Sequence, residues 1–91
     1  MDDKKQMTVE LSPIARLILN IVLELVDDPD MVLVEETVGT LSTIVTIFVA
    51  ERDRGKVIGS RGATAEALRT IMRAAGGKLR RRYVLDLDEE V

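Results

Sequence analysis

Gly55, Gly59 and Gly62 fall close together beside Lys56 and Arg61, the one place in the chain where residue types and spacing suit the holding of a phosphate. Glycine lets another molecule's backbone approach the main chain, and it permits the dihedrals of a tight turn. The spacing fails the dinucleotide fingerprint, which needs G-x-G-x-x-G, and it fails the Walker loop for want of a following Gly-Lys-Ser/Thr. What is left is a G-x-x-G corner, Gly59-Ser60-Arg61-Gly62, preceded by Lys56-Val57-Ile58. Catalysis has little to work with. The chain has no histidine and no cysteine, which removes imidazole bases, thiolate nucleophiles, disulfides and metal sites built on nitrogen or sulfur. Asp27, Asp28 and Asp30 surround Pro29 and read as a solvated helix stop. No enzyme, cofactor, metal or small-molecule substrate is expected.

The elements that must position the corner follow from local signals. Ser12 suits an N-cap and Pro13 the first helical position. Apolar residues recur at Ile14, Leu17, Ile18, Ile21, Val22 and Leu25, one face of a helix, with a second row at Ala15, Leu19, Leu23 and Val26. So much apolar surface points to deep burial or to contact with another subunit. Pro29 ends this helix. Met31–Val34 reads as a strand, Gly39-Thr40 as a turn, and Thr43–Ala50 as a second strand, apolar on both faces and therefore central. The short turn predicts an antiparallel hairpin. Asp53 is a plausible cap for a short helix over residues 54–58, which the glycine corner breaks. A longer helix follows, with Ala65, Leu68, Ile71, Met72 and Ala75 facing inward and Gly76-Gly77 ending it. Tyr83, Leu85 and Leu87 alternate along a final strand, and a strand–helix–helix–strand crossover returns it parallel to the central one. The expected fold is α+β, order α-β-β-α-α-β, a three-stranded mixed sheet with three helices on one face.

At 91 residues the chain is one small domain, and 46% hydrophobic with 32% charged residues is the balance of a folded protein. Its net charge of −3 disguises an asymmetry. Residues 1–51 hold three basic and ten acidic side chains, a net of −7; residues 52–82 hold ten basic and two acidic, a net of +8; residues 83–91 add −4. The basic section contains the glycine corner, and such a division points to a polyanion-facing side. The first ten residues lack the apolar core of a signal peptide, so the expectation is a flexible lead-in at 1–10, one domain over 11–88, an acidic tail at 89–91, no membrane and a cytoplasmic location. One Phe and one Tyr exclude a domain that reads bases mainly by aromatic stacking.

Val57-Ile58-Gly59-Ser60-Arg61-Gly62 resembles the VIGxxG signature of KH domains, and the element order matches their type II form, over about residues 11–88. Val26–Asp30, Gly55–Gly59 and Ala67–Ile71 look most like the short single-KH proteins of bacteria, the KH-domain protein A family. The resemblance implies binding of single-stranded RNA, a role as RNA chaperone or post-transcriptional regulator linked to cell-wall synthesis and cell shape, and pairing with a second copy or with a Jag-type RNA-binding protein. It implies that Gly59–Gly62 clamps the nucleic-acid backbone with Ser60 and Arg61 facing phosphate, that Lys56 stands at the approach, that Ile58 helps to form the apolar groove for bases, and that Val57 belongs with them to the RNA-binding set. Arg54, Arg69 and Arg73 are candidates for electrostatic support, and Lys78 with Arg80–Arg82 for long-range steering. Family members often carry a basic or long polar side chain where this chain has Ala63.

Blander readings stand beside these. A glycine-bounded corner can simply turn the chain, and Arg69, Arg73 and the run at 78–82 can be a solvated face. The competing functional class is a protein-interaction subunit, homo- or heterodimeric, with a weak or vestigial RNA site. A helix-turn-helix DNA binder using 63–75 as recognition helix is disfavoured by the shortness of its first helix.

Overall fold

The computed structural model describes residues 10–87. The elements are α1 (Pro13–Leu25), β1 (Leu33–Val38), β2 (Ser42–Phe48), α2 (Arg54–Ile58), α3 (Ala63–Leu79) and β3 (Arg82–Leu87), with single 3₁₀ turns at Pro29–Met31, Glu51–Asp53 and Ser60–Gly62. Apart from Glu10, the expected lead-in lies outside the described residues, as does the tail at 89–91.

The α-β-β-α-α-β order is the one the sequence predicts, and the sheet runs β1-β2-β3 with the apolar strand in the middle. β1 and β2 pair antiparallel, with Val34 opposite Ile47, and β2 and β3 pair parallel, with Val45 opposite Leu85. The three α-helices among the described residues lie on one face. Thr43, Val45 and Ile47 point inward and are buried, while Ile44 on the other face is 38% exposed. The core joins Ile14, Ile18 and Val22 of α1, Val57 of α2, and Leu68 and Met72 of α3 to Val34, Val45, Ile47 and Leu85 of the sheet.

Ser12 caps α1 as its type predicts, its hydroxyl oxygen accepting the Ala15 amide at 3.2 Å. It also ties the helix to the sheet. The Ser12 amide donates to Glu36 Oε1 at 2.8 Å and the hydroxyl donates to Oε2, so an inward-pointing acid on β1 is satisfied by the helix start.

The structure moves several boundaries. β1 begins at Leu33, because Pro29–Met31 forms a 3₁₀ turn, and it runs on to Val38 through Glu35, Glu36 and Thr37. β2 spans 42–48 rather than 43–50. Gly76 and Gly77 do not end α3, which continues to Leu79; the left-handed residue that closes it is Arg80, at φ 59°. Gly76 is buried because the chain returning into β3 crosses it closely, and an added Cβ would sit 2.5 Å from the Arg81 carbonyl oxygen. Ile71, expected inward, is 40% exposed, and Leu17 of α1 is 43% exposed. Asp53 makes no side-chain cap for α2 and has a different partner, described below.

Candidate nucleic-acid interface

The corner between α2 and α3 is held by backbone geometry. Gly59 ends α2 at φ 82° and ψ 169°, and a Cβ there would collide with the hydroxyl and amide nitrogen of Thr64. Gly62 begins α3 at φ 77°, with nothing within 4 Å of where its Cβ would lie. The first position must therefore be glycine for space as well as dihedral. The second needs it for dihedral alone and leaves the main chain open to solvent. Between them Arg61 is left-handed too, at φ 56° and ψ 27°, a conformation that costs a non-glycine residue about 1–2 kcal/mol. Ser60 and Arg61 are both exposed. No side chain caps α3, whose N-terminal dipole end faces the corner.

The expected site residues divide. Gly59, Ser60, Arg61 and Gly62 form one corner, exposed at Ser60 and Arg61 and half-buried at the two glycines, with Ile58 half-buried beside it. Val57 is only 1% exposed, so its side chain packs into the core beneath the corner instead of facing solvent. Lys56 is drawn to acids: its Nζ lies 3.2 Å from Asp27 Oδ2 and 3.7 Å from Asp53 Oδ1, which offsets part of its charge. Arg54 is half-buried at the first position of α2.

Arg69 and Arg73 line an open groove of about 680 Å³ between α3 and β3, together with Arg80, Arg82, Tyr83 and Leu41 at the hairpin tip. Within the described residues this joins the helix arginines to the basic run at the sheet edge, the free edge of β3. Arg73 Nη2 also meets Glu66 Oε2 at 3.2 Å, on a surface where both side chains are well exposed. The corner itself is not part of the groove's lining, which begins at Arg69, some two turns into α3.

Two residues take roles that no local signal marked, Asp53 having read only as a cap for α2. Asp53 is fully buried, and its carboxylate accepts the amides of Asp27 and Asp28, each at 3.0 Å, anchoring α2 to the chain that leaves α1. Its pKa is lowered, first by the Asp27 amide and further by that of Asp28 and by the charges of Lys56 and Arg52, against the opposing effect of burial. Arg81 reaches across to the β1–β2 hairpin. The isolated acid in a basic section and the middle member of an arginine run were the only hints.

A three-stranded mixed sheet covered by three helices, with a G-x-x-G corner joining the second and third, defines a KH-like domain of the type II order. The family model described as KhpA/KhpB, KH domain, matches residues 15–87, and the chain belongs to that family. It is 42% identical over 71 residues to the RNA-binding protein KhpA of Caldanaerobacter subterraneus subsp. tengcongensis, covering 78% of this chain and 95% of the relative. It is 43% identical over 72 residues to that of Clostridium acetobutylicum, covering 79% and 96%, and 44% identical over 66 residues to that of Aquifex aeolicus, covering 72% and 84%. No solved structure matches the chain.

Proposed function

We propose that this protein binds single-stranded RNA without catalysing a reaction, holding the sugar-phosphate backbone at Gly59–Gly62 and laying the following nucleotides along the α3–β3 groove. The observation that carries the reading is the corner itself: positive φ at three of its four residues, Gly59, Arg61 and Gly62, open space where a Gly62 Cβ would lie, and a helix start behind it with no side-chain cap at Gly62. Such a corner offers a phosphate the positive end of the α3 dipole and the exposed Arg61 charge, while the Gly62 and Ala63 amides donate to the Gly59 and Ser60 carbonyls within the corner. The groove supplies Arg69, Arg73, Arg80 and Arg82 for the backbone and Leu41 with Tyr83 for the bases. The relatives' name, RNA-binding protein KhpA, agrees with it. The finer role follows from the family resemblance: a cytoplasmic RNA chaperone or post-transcriptional regulator linked to cell-wall synthesis and cell shape, acting as a homodimer or with a Jag-type protein. A single site of this size gains from such pairing by effective concentration, and Leu17 and Ile71 leave apolar surface exposed for it. No helix among the described residues is long and apolar enough to cross a membrane.

The test is a titration of labelled single-stranded RNA against the parent and against Ser60→Asp with Arg61→Asp. Aspartate tolerates the left-handed conformation, so the double variant keeps its fold and loses at least about tenfold in affinity. Unchanged affinity would leave the interaction-subunit reading in its place.

A further inference from the structure

Arg81 differs from its neighbours in the basic run. Arg80 and Arg82 are exposed, whereas Arg81 is half-buried and its guanidinium is directed at the β1–β2 hairpin. Nε donates to Thr43 Oγ1 at 2.9 Å and Nη2 to the Gly39 carbonyl at 2.7 Å, with longer contacts from Nη2 to the Ser42 carbonyl at 3.3 Å and from Nη1 to the Thr40 carbonyl at 3.4 Å. These acceptors bracket Leu41, which is 80% exposed and lines the groove. Two backbone bonds close the same corner: the Gly39 amide to the Ser42 carbonyl at 2.8 Å, and the Arg82 amide to the Leu41 carbonyl at 3.4 Å. On the other side the Arg81 main chain is seated against α3, its amide donating to the Gly76 carbonyl at 2.9 Å where only glycine leaves room.

We propose that Arg81 is a positioning residue of the RNA groove: its forked guanidinium fixes the hairpin tip to the α3–β3 corner, so that Leu41 stands as a rigid wall of the groove. This rests on the RNA-binding reading above. All its partners among the described residues are neutral oxygens, so the charge is not cancelled, but the donors are occupied by the hairpin. A lysine at this position keeps the charge and cannot reproduce the planar fork. Leu41 then becomes mobile, and RNA must order it on binding.

The experiment measures affinity for a labelled oligouridine over a salt series, well below the melting temperature, together with amide exchange at Gly39 and Arg82. Arg81→Lys weakens binding roughly five- to tenfold, leaves the slope of log affinity against log salt unchanged, and speeds exchange at those amides while the α1 and α3 cores stay protected. Thr43→Val, which removes one acceptor, does the same to a smaller extent and stands in if the lysine variant fails to fold. Unchanged affinity in the folded variant overturns the proposal. So does a slope reduced by about one in Arg81→Gln, which removes the charge that the lysine keeps and so marks Arg81, itself part of the groove lining, as a direct phosphate contact. The Ser60→Asp, Arg61→Asp protein runs in parallel: if it also binds normally, the RNA reading itself has failed, whereas its loss beside normal binding by Arg81→Lys removes only the role of Arg81.

Discussion

The carboxylate of Asp53 accepts the backbone amide of Asp27 at 3.0 Å, so a fully buried acid at the entrance to α2 holds the chain leaving α1. The second oxygen takes the Asp28 amide at the same distance. Through this clamp the short helix that leads into the glycine corner is fixed to the segment that follows α1.

The clamp has a pH dependence. The amides, with that of Asp27 foremost, and the nearby cations lower the Asp53 pKa below its ordinary 3.8. A carboxylate depressed in the folded state stabilises the fold above its unfolded pKa, and that contribution is lost as pH falls through the lowered folded value. Asp53→Asn therefore melts at lower temperature than the parent at neutral pH, and the gap narrows below about pH 4. Thermal melts across that range check it. A gap independent of pH would show that the charge of Asp53 is not what holds the turn.

The two glycines of the corner are expected to differ. Gly59→Ala meets both a positive φ and Thr64, and should cost at least about 2 kcal/mol. Gly62→Ala meets the positive φ alone, in open space, and should cost about 1 kcal/mol. Urea unfolding of both variants measures the difference. Equal costs would mean that the close approach of Thr64 relaxes freely.

Arg61 separates stability from binding. Its left-handed backbone is strained, so Arg61→Gly relieves strain while giving the unfolded chain more freedom, for a net gain of about 0.5 kcal/mol. The same change removes the charge at the corner and should weaken RNA binding several-fold while lowering the salt slope by about one. A variant that is both more stable and a weaker binder is the expected result of denaturant melts and RNA titration. Retained affinity would show that the strain at Arg61 serves only the turn.

The elements were legible wherever the deciding interaction is local. Ser12-Pro13 starts a helix through its own side chain and ring, the β-branched run of β2 marks a central strand, and the paired glycines 59 and 62 mark the corner. What the sequence hid depends on distant contacts. Gly76 resembles a helix stop, but it is a crossing point for the returning chain, so the helix runs through it and closes at Arg80. Ile71 fits the inward pattern of α3, yet α3 packs through Ala65, Leu68, Met72 and Gly76, one residue row away. Glu36 interrupts an apolar face and is tolerated only because the start of α1 reaches it. Asp53 and Arg81 act across 26 and 38 positions of sequence, where no spacing rule applies.

The Glu66–Arg73 pair gives a prediction in the opposite direction from the loss-of-function variants. Its 3.2 Å contact is exposed on both sides, with side chains 61% and 60% accessible, so it contributes almost nothing to stability. Glu66 nevertheless places a negative charge between the glycine corner and the groove, and it occupies the guanidinium of an arginine that lines that groove. Glu66→Gln should leave the unfolding free energy within about 0.5 kcal/mol of the parent and strengthen RNA binding about two- to threefold at low salt, with the gain fading as ionic strength rises. Combining it with Arg73→Gln separates the two causes: if Glu66 acts by withholding Arg73, the gain vanishes in the double variant, and if it acts by repelling phosphate directly, the gain persists. Equal affinities of parent and Glu66→Gln at low salt would place the RNA away from this face of α3, leaving the corner to bind without the groove.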